Sequence, residues 1–339
     1  MLRRSLVLVL AGLALAAAGC GAHSTQTLRL VPQVPTTAAK LRSAATLVAS
    51  RLNALGYRTS DVTVGSDVVL RVSPPVSSTI AAAVGAPARL RFYDWEESVI
   101  GPSELPDPSD ASVTGGPLAG YGASGLPEYV AVMRAAARPP YGIGPDWWYI
   151  VNVAEHRVVF GPWPAHLTAP SGDRAVRVGP GTVVLQALSN DPETAPPPRY
   201  YVLIDRPDLT TSDIADPRSG VVRGTAEPDV DFHFTPTGEQ AFLNLTAQVA
   251  ERGVALMQPD EEPSLAFQHI AVALDGALID VPLVDFTIYP EGIDAYSGWQ
   301  LDGELTAGAA KLLAAELSTG PLPVRLLPAS ARSGYSPPP

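Results

Sequence analysis

Val230-Asp231-Phe232-His233-Phe234-Thr235-Pro236-Thr237-Gly238-Glu239-Gln240-Ala241-Phe242-Leu243-Asn244-Leu245-Thr246 changes its period halfway along. Up to Phe234 apolar and polar residues alternate, the pattern of a strand with one buried face, on which His233 points away from the two phenylalanines. From Phe242 the apolar residues fall three and four apart (Phe242, Leu245, Val249), as on one face of a helix. Thr237-Gly238-Glu239-Gln240 predicts a capping box between the two, with Gln240 reaching back, and Gly253 predicts the helix end. Strand running straight into long amphipathic helix is the first element pair of an α+β fold.

Outward from this pair the same kinds of element recur. Tyr200 to Ile204 reads as a strand upstream, and His269–Leu274, Leu278–Ile288 and Ile293–Leu301 as strands downstream. Asp275-Gly276 is a tight hairpin turn in which glycine supplies positive φ. A last helix, capped by Thr306, carries Ala309, Leu312, Leu313 and Leu317 before Gly320.

Residues 27–96 hold a second module. Thr27 to Val31 alternates as a strand, and Ala38 to Leu55 places Leu41, Ala45, Val48, Leu52 and Leu55 on one helix face, stopped by Gly56. Val62 to Val72 predicts a hairpin turning at Gly65-Ser66-Asp67. A short helix near Ser77–Val84 and a returning strand at Ala88–Tyr93 complete a β-α-β-β-α-β order, which is ferredoxin-like.

Between the modules, residues 97–198 are rich in proline and glycine, which total 35 and 29 in the chain. Those residues read as loops separated by short strands. Trp148–Val153 and Arg157–Phe160 predict a hairpin around Glu155-His156. Trp147, Trp148 and Trp163 form either an aromatic patch for peptides or a small core; the core is favoured, because a segment short of aliphatics fills its interior with large rings.

The N-terminus carries a secretory layout: Arg3 and Arg4, an apolar run from Leu6 to Ala18, then Ala17-Ala18-Gly19-Cys20. That run is short of the roughly 20 residues that span a bilayer. Ala17-Ala18-Gly19-Cys20 resembles a lipobox, so residues 1–19 are expected to be a signal peptide, Cys20 to be lipidated, and 20–26 to be a short tether. Cys20 is the only cysteine, so the chain can form no internal disulfide. Two acyl chains would hold the protein firmly at a membrane. The net charge is −11, and −13 without Arg3 and Arg4. Such a surface repels nucleic acid, which is excluded as a partner.

No catalytic set emerges. Gly122-Ala123-Ser124-Gly125 lacks the spacing of a nucleophile elbow. His156, His166, His233 and His269 are scattered and form no zinc motif. Pro259-Asp260-Glu261-Glu262-Pro263 lacks the glycine and spacing of a calcium loop and reads as a solvated charge run. No phosphate- or dinucleotide-binding glycine motif is present. The expectation is a protein with no enzymatic activity, no metal and no cofactor.

Four short motifs occur in the order found in SecD. Phe234-Thr235 with Gly238, Phe242 and Thr246 resembles its Phe-Thr-x-x-Gly-x-x-x-Phe-x-x-x-Thr run. Asp275-Gly276 through Pro282 resembles its Asp-Gly-x-Val-x-Ser-Ala-Pro turn, with Asp280 and Val281 in place of Ser-Ala. Gly292 and Gly298 match a Gly-x-x-x-Ile-x-Gly spacing, with Tyr296 replacing the isoleucine. The final helix leads to Gly320-Pro321-Leu322-Pro323, similar to Gly-Ala-Leu-Pro.

The resemblance implies a ferredoxin-like base at 27–96, a SecD-head-like α+β subdomain at 199–298, a closing helix and strand at 299–327 that return to the base, and a disordered tail at 328–339. By analogy with SecD, the protein would be a lipid-anchored accessory of protein export on the outer face of the cell membrane, binding Sec translocase components or unfolded secreted chains. The alternative is an envelope binding lipoprotein that reuses the fold without a role in export.

Overall fold

The computed structural model describes residues 24–97, 125–140, 142–187, 199–222, 224–260, 262–301 and 305–330. The predicted signal peptide, Cys20 and the tail from residue 331 lie outside the described residues, as do 98–124 and 188–198 of the proline-rich region. The elements up to residue 94 are β1 (Gln26–Pro32), α1 (Ala38–Ala54), β2 (Arg58–Val64), β3 (Val68–Ser73), α2 (Ser78–Ala83) and β4 (Leu90–Asp94). Then come α3 (Glu128–Ala137), β5 (Trp147–Asn152), β6 (Arg157–Trp163), β7 (Arg174–Val178), β8 (Thr182–Ala187), β9 (Arg199–Ile204) and β10 (Leu209–Thr210). The rest are β11 (Ile214–Val221), β12 (Pro228–Phe234), α4 (Pro236–Leu256), β13 (Gln268–Leu274), β14 (Ala277–Asp280), β15 (Leu283–Val284), β16 (Trp299–Leu301), α5 (Ala307–Thr319) and β17 (Leu326–Pro328). Strands and helices mix throughout, and the class is α+β. Among the described residues no helix is long and apolar enough to cross a membrane.

The described parts form two compact units. Of the described residues, the first takes those up to Leu90, Thr211–Thr235 and those from Tyr296 onward; the second takes those within Arg91–Thr210 and Pro236–Ala295. This differs from the expected division, in which 199–298 made one subdomain: β11 and β12 belong with the first unit.

The first unit contains an antiparallel sheet in the order β17-β1-β3-β2. Leu28, Leu30, Val68, Leu70 and Val72 of that sheet share one buried cluster with Leu41, Val48 and Leu52 of α1 and Ile80 of α2. The element order 27–93 is as predicted, but the fourth strand of this ferredoxin-like plait is β17, not β4. Gly85 makes that possible. Leu326 N–H donates to its carbonyl at 2.9 Å, and a Cβ on Gly85 would stand 2.2 Å from the Leu326 carbonyl oxygen. Meanwhile Leu90, Phe92 and Tyr93 of β4 are all buried, on both faces, as suits a strand with neighbours on each side.

Arg51, also in the first unit, is fully buried on α1. Its guanidinium donates to Thr319 Oγ1 at 3.0 Å, to the carbonyls of Val84 at 3.1 Å and Gly320 at 2.9 Å, and to that of Ala86. It ties α1 to the turn after α2 and to the end of α5, which Gly320 closes at φ +77°. A second antiparallel sheet, β11-β12-β16, packs Val230, Phe232 and Phe234 inward beneath α5, with the two phenylalanine rings edge to face at 5.5 Å.

The second unit is built on the order β10-β4-β13-β14-β8-β9, with β15 also on β13 and with β14 and β8 parallel. A smaller sheet, β6-β5-β7, and α3 enclose Leu126, Val132, Tyr149, Val176 and Val202. The predicted hairpin around Glu155-His156 is present as β5 and β6. Trp147 packs against this core and Trp163 is buried, the core reading of the tryptophans.

Candidate functional site

The site is built around α4 in the second unit. The helix begins at Pro236, whose missing N–H costs nothing in the first turn. Gln240 does not reach back as a capping box; it donates forward to Asn244 Oδ1 at 2.9 Å. Phe242 is fully buried and meets Phe92 of β4 edge to face at 6.2 Å, fixing the helix on the large sheet. Gly238 is buried on the same helix.

One turn on, Thr246 has no exposed surface. Its hydroxyl donates to the Phe242 carbonyl at 2.9 Å and accepts the Ile293 N–H at 2.8 Å. Gly292 sits beside it at φ +92°, where a Cβ would lie 2.6 Å from the Leu243 carbonyl oxygen. The structure thus joins two of the sequence motifs, Phe242 with Thr246 and Gly292 with Ile293, in one contact. Asp275 and Gly276 form the predicted turn between β13 and β14, at φ +52° and +89°. The Pro282 carbonyl accepts the Ile270 N–H at 3.1 Å, which holds the bent end of that hairpin onto β13. The strand expected at Leu278–Ile288 is accordingly split into β14 and β15.

The remaining motif residues belong to the first unit. Phe234 ends β12 in the core, and Thr235 N–H donates to the Asp213 carbonyl at 2.8 Å. Gly298, at φ +87°, leaves room for the Phe232 carbonyl, which a Cβ would approach to 2.7 Å. Gly320 ends α5, and Leu322, one residue before Pro323, donates to the Pro87 carbonyl at 2.9 Å. Each has a positioning role in its own unit.

Gly253 does not end α4. The helix runs on to Leu256, and the glycine is needed because the Phe286 ring and the Ala266 carbonyl would lie 2.6 and 3.0 Å from a Cβ there. Around this junction Val254, Met257, Leu265, Ile288 and Tyr289 are exposed, Ile288 at 64% and Leu265 at 60%. Exposed large apolar side chains on neighbouring segments make this a candidate interaction surface. Sequence reading missed it because the residues come from three separate short stretches.

Along the same unit, the chain leaving β4 is held by side-chain hydrogen bonds to three segments. Asp94 takes a two-bond fork from Arg252 at 2.7 and 2.8 Å, Glu96 pairs with His269 Nδ1 at 3.1 Å, and Glu97 with Arg206 at 2.8 Å. Asp208 lies beside them, exposed at the surface; desolvation by its neighbours first, and the Asp94 charge next, push its carboxyl up to about 6, against the pull of Arg206. Among the described residues no cluster of three or more His, Cys, Asp or Glu side chains is placed to hold a metal ion.

Residues 186–324 match the family model "SecDF, P1 head subdomain". No curated protein matches the chain by sequence. Among solved structures, it is similar to SecDF crystallised in its super-membrane-facing form, with 20% identity over 91% of this chain and 30% of that one and a TM-score of 0.48. It is similar to a structure described as SecDF, a membrane component that enhances protein export, at 18% identity over 91% of this chain and 100% of that one, TM-score 0.45. The SecDF of Thermus thermophilus, described as a translocon-associated membrane protein, is similar at 18% identity over 91% and 30%, TM-score 0.29. The chain spans about 30% of the length of the first of these. The matched span runs from β8 past α5 and takes in all four sequence motifs, so this part of the chain is similar to the SecDF P1 head subdomain.

Proposed function

We propose that the protein is a non-enzymatic accessory of protein export, held through a lipid on Cys20 at the extracytoplasmic face of the cell membrane, and that its second unit binds unfolded chains as they emerge. The observation that carries this reading is the exposed apolar set Val254, Met257, Leu265, Ile288 and Tyr289 within a head subdomain of the SecDF type. Unfolded chains expose apolar side chains, and an apolar surface can hold many of them without reading sequence. The N-terminal layout ending in Cys20 supports the anchor.

Photo-crosslinkers placed at Met257 and Ile288 in intact cells are expected to trap secreted chains in transit or Sec translocase components. Recovery of neither, together with an unchanged profile of secreted proteins when the gene is deleted, would favour an envelope module with no part in export. Cys20→Ala is expected to release the protein from membranes; continued membrane binding would remove the lipid anchor from the proposal.

A further inference from the structure

The outer face of the β11-β12-β16 sheet, in the first unit, holds a groove of 520 Å³ lined by Asp216, Arg218, Asp231, His233, Ser297 and Gln300, with Trp299 and Gly298 in its wall. Strand alternation produces it. Val230, Phe232 and Phe234 face the core, so Asp229, Asp231 and His233 face the other way. Register places Arg218 and Gln300 on either side of Asp231, and Gly220 opposite Asp229. Ala215 to Arg218 is bulged, with Asp216 at φ +50°, which brings a further carboxylate to the same face.

Among the described residues, Asp216, Asp229 and Asp231 on this face stand against Arg218. Asp229 is wholly buried; Gln300 donates to its Oδ2, while Oδ1 has no hydrogen-bond donor among the described residues. Oδ1 of Asp229 and Oδ2 of Asp231 converge over Gly220, where a Cβ would lie 2.8 and 3.1 Å from them. The Asp231 carboxyl is raised above the ordinary range, by desolvation and then by Asp229. A buried carboxylate oxygen with no donor is costly, and a cation held at Asp231 would offset the crowding of like charges between the two carboxylates.

The chemistry selects the kind of cation. The described residues offer no three-ligand cluster for a metal ion. An ammonium or guanidinium asks only for nearby acceptor oxygens. Gln300, paired with Asp231 on the outer face, and Ser297 line the groove beside the carboxylates.

We propose that this groove is a docking site for a basic polypeptide segment, taking a lysine or arginine side chain between Asp216 and Asp231, with Asp229 behind them. The proposal does not rest on the export reading and concerns a surface in the other unit.

Calorimetric titration of the purified full chain tests it, using two synthetic peptides of equal length, one bearing arginines and one glutamates, and spermidine as a free polyamine. The arginine peptide is expected to bind, and to weaken as salt is added. The Asp216→Asn/Asp231→Asn variant is expected to lose about tenfold or more in affinity, a loss of about 1.4 kcal/mol. Glu239→Gln/Glu251→Gln, which removes the same charge elsewhere, is expected to bind as the parent does. Arg218→Gln should bind the arginine peptide more tightly, a gain that misfolding cannot produce. Equal affinity for the glutamate peptide, parent affinity in the Asp216/Asp231 variant, or spermidine binding as tightly as the peptide would each overturn the proposal.

Discussion

The Thr246 hydroxyl accepts the Ile293 N–H at 2.8 Å while donating to Phe242 one helical turn back. One side chain therefore couples the middle of α4 to the loop after β15. Thr246→Val keeps the shape but leaves the Ile293 N–H without its acceptor, at an expected cost of about 1–3 kcal/mol. Gly292→Ala should cost more, since it combines φ +92° with a 2.6 Å approach to the Leu243 carbonyl. Urea unfolding of the two variants checks the order.

Arg51 holds two segments of the first unit to α1 by donating to their carbonyls. Arg51→Met would fill most of the volume and leave those carbonyls facing an apolar chain, for an expected loss of about 2–4 kcal/mol. Faster amide hydrogen exchange in α1 and at the end of α5 should accompany it. Unaltered exchange there would mean the buried guanidinium adds nothing to the joint.

Asp208 gives the second unit a defined pH response. Its folded carboxyl is raised to about 6 from an ordinary 3.8, so between those values the folded protein holds a proton that the unfolded chain has lost. On this residue's account stability rises as pH falls through about 6 toward 4, and the penalty of the charged form remains in full above 6. Asp208→Asn is therefore expected to melt higher than the parent at pH 7.5, with the difference vanishing toward pH 4. Thermal melts at the two pH values decide it.

Met257→Glu and Ile288→Glu act on exposed side chains and should change stability by no more than about 0.5 kcal/mol. If the apolar surface binds unfolded chains, crosslinking from a probe at Tyr289 should nonetheless fall sharply in both. Undiminished yields would place chain binding elsewhere.

Much of the local structure could be read in the sequence because it obeys a short-range period. α1 stops at Leu55 with Gly56 behind it, Ser77 and Thr306 cap α2 and α5 through their hydroxyls, and Asp275-Gly276 turns as expected. What failed was partnership across long separations. β4 has the pattern of a strand, but nothing in 27–96 says that β10 and β13 receive it while β17 takes its expected place. Gly253 looks like a helix stop until Phe286, 33 positions later, is known to lie against it.

Charge and composition hid other parts. Arg51 was passed over because an apolar face is traced through apolar residues, and a guanidinium enters a core only where carbonyls converge. β11 carries Asp216, Pro217, Arg218 and Gly220, which read as loop, yet the ladder with β12 imposes a strand. α3, β7 and β8 lie in the proline-rich region, where turn residues outweigh the short apolar runs. In the candidate site, the motif residues that join Thr246 to Ile293 were legible individually; their meeting was not.

The pairing of Leu30 with Pro328 has a consequence for synthesis. A ribosome reaches β17 only long after it has made β1, so until then the first strand waits with a bare edge. Such an edge is a template for wrong partners, and closing so distant a contact is slow. A chain cut just before residue 326 would keep this exposed rim permanently, and would be expected to aggregate even though every residue of the head subdomain match is still present.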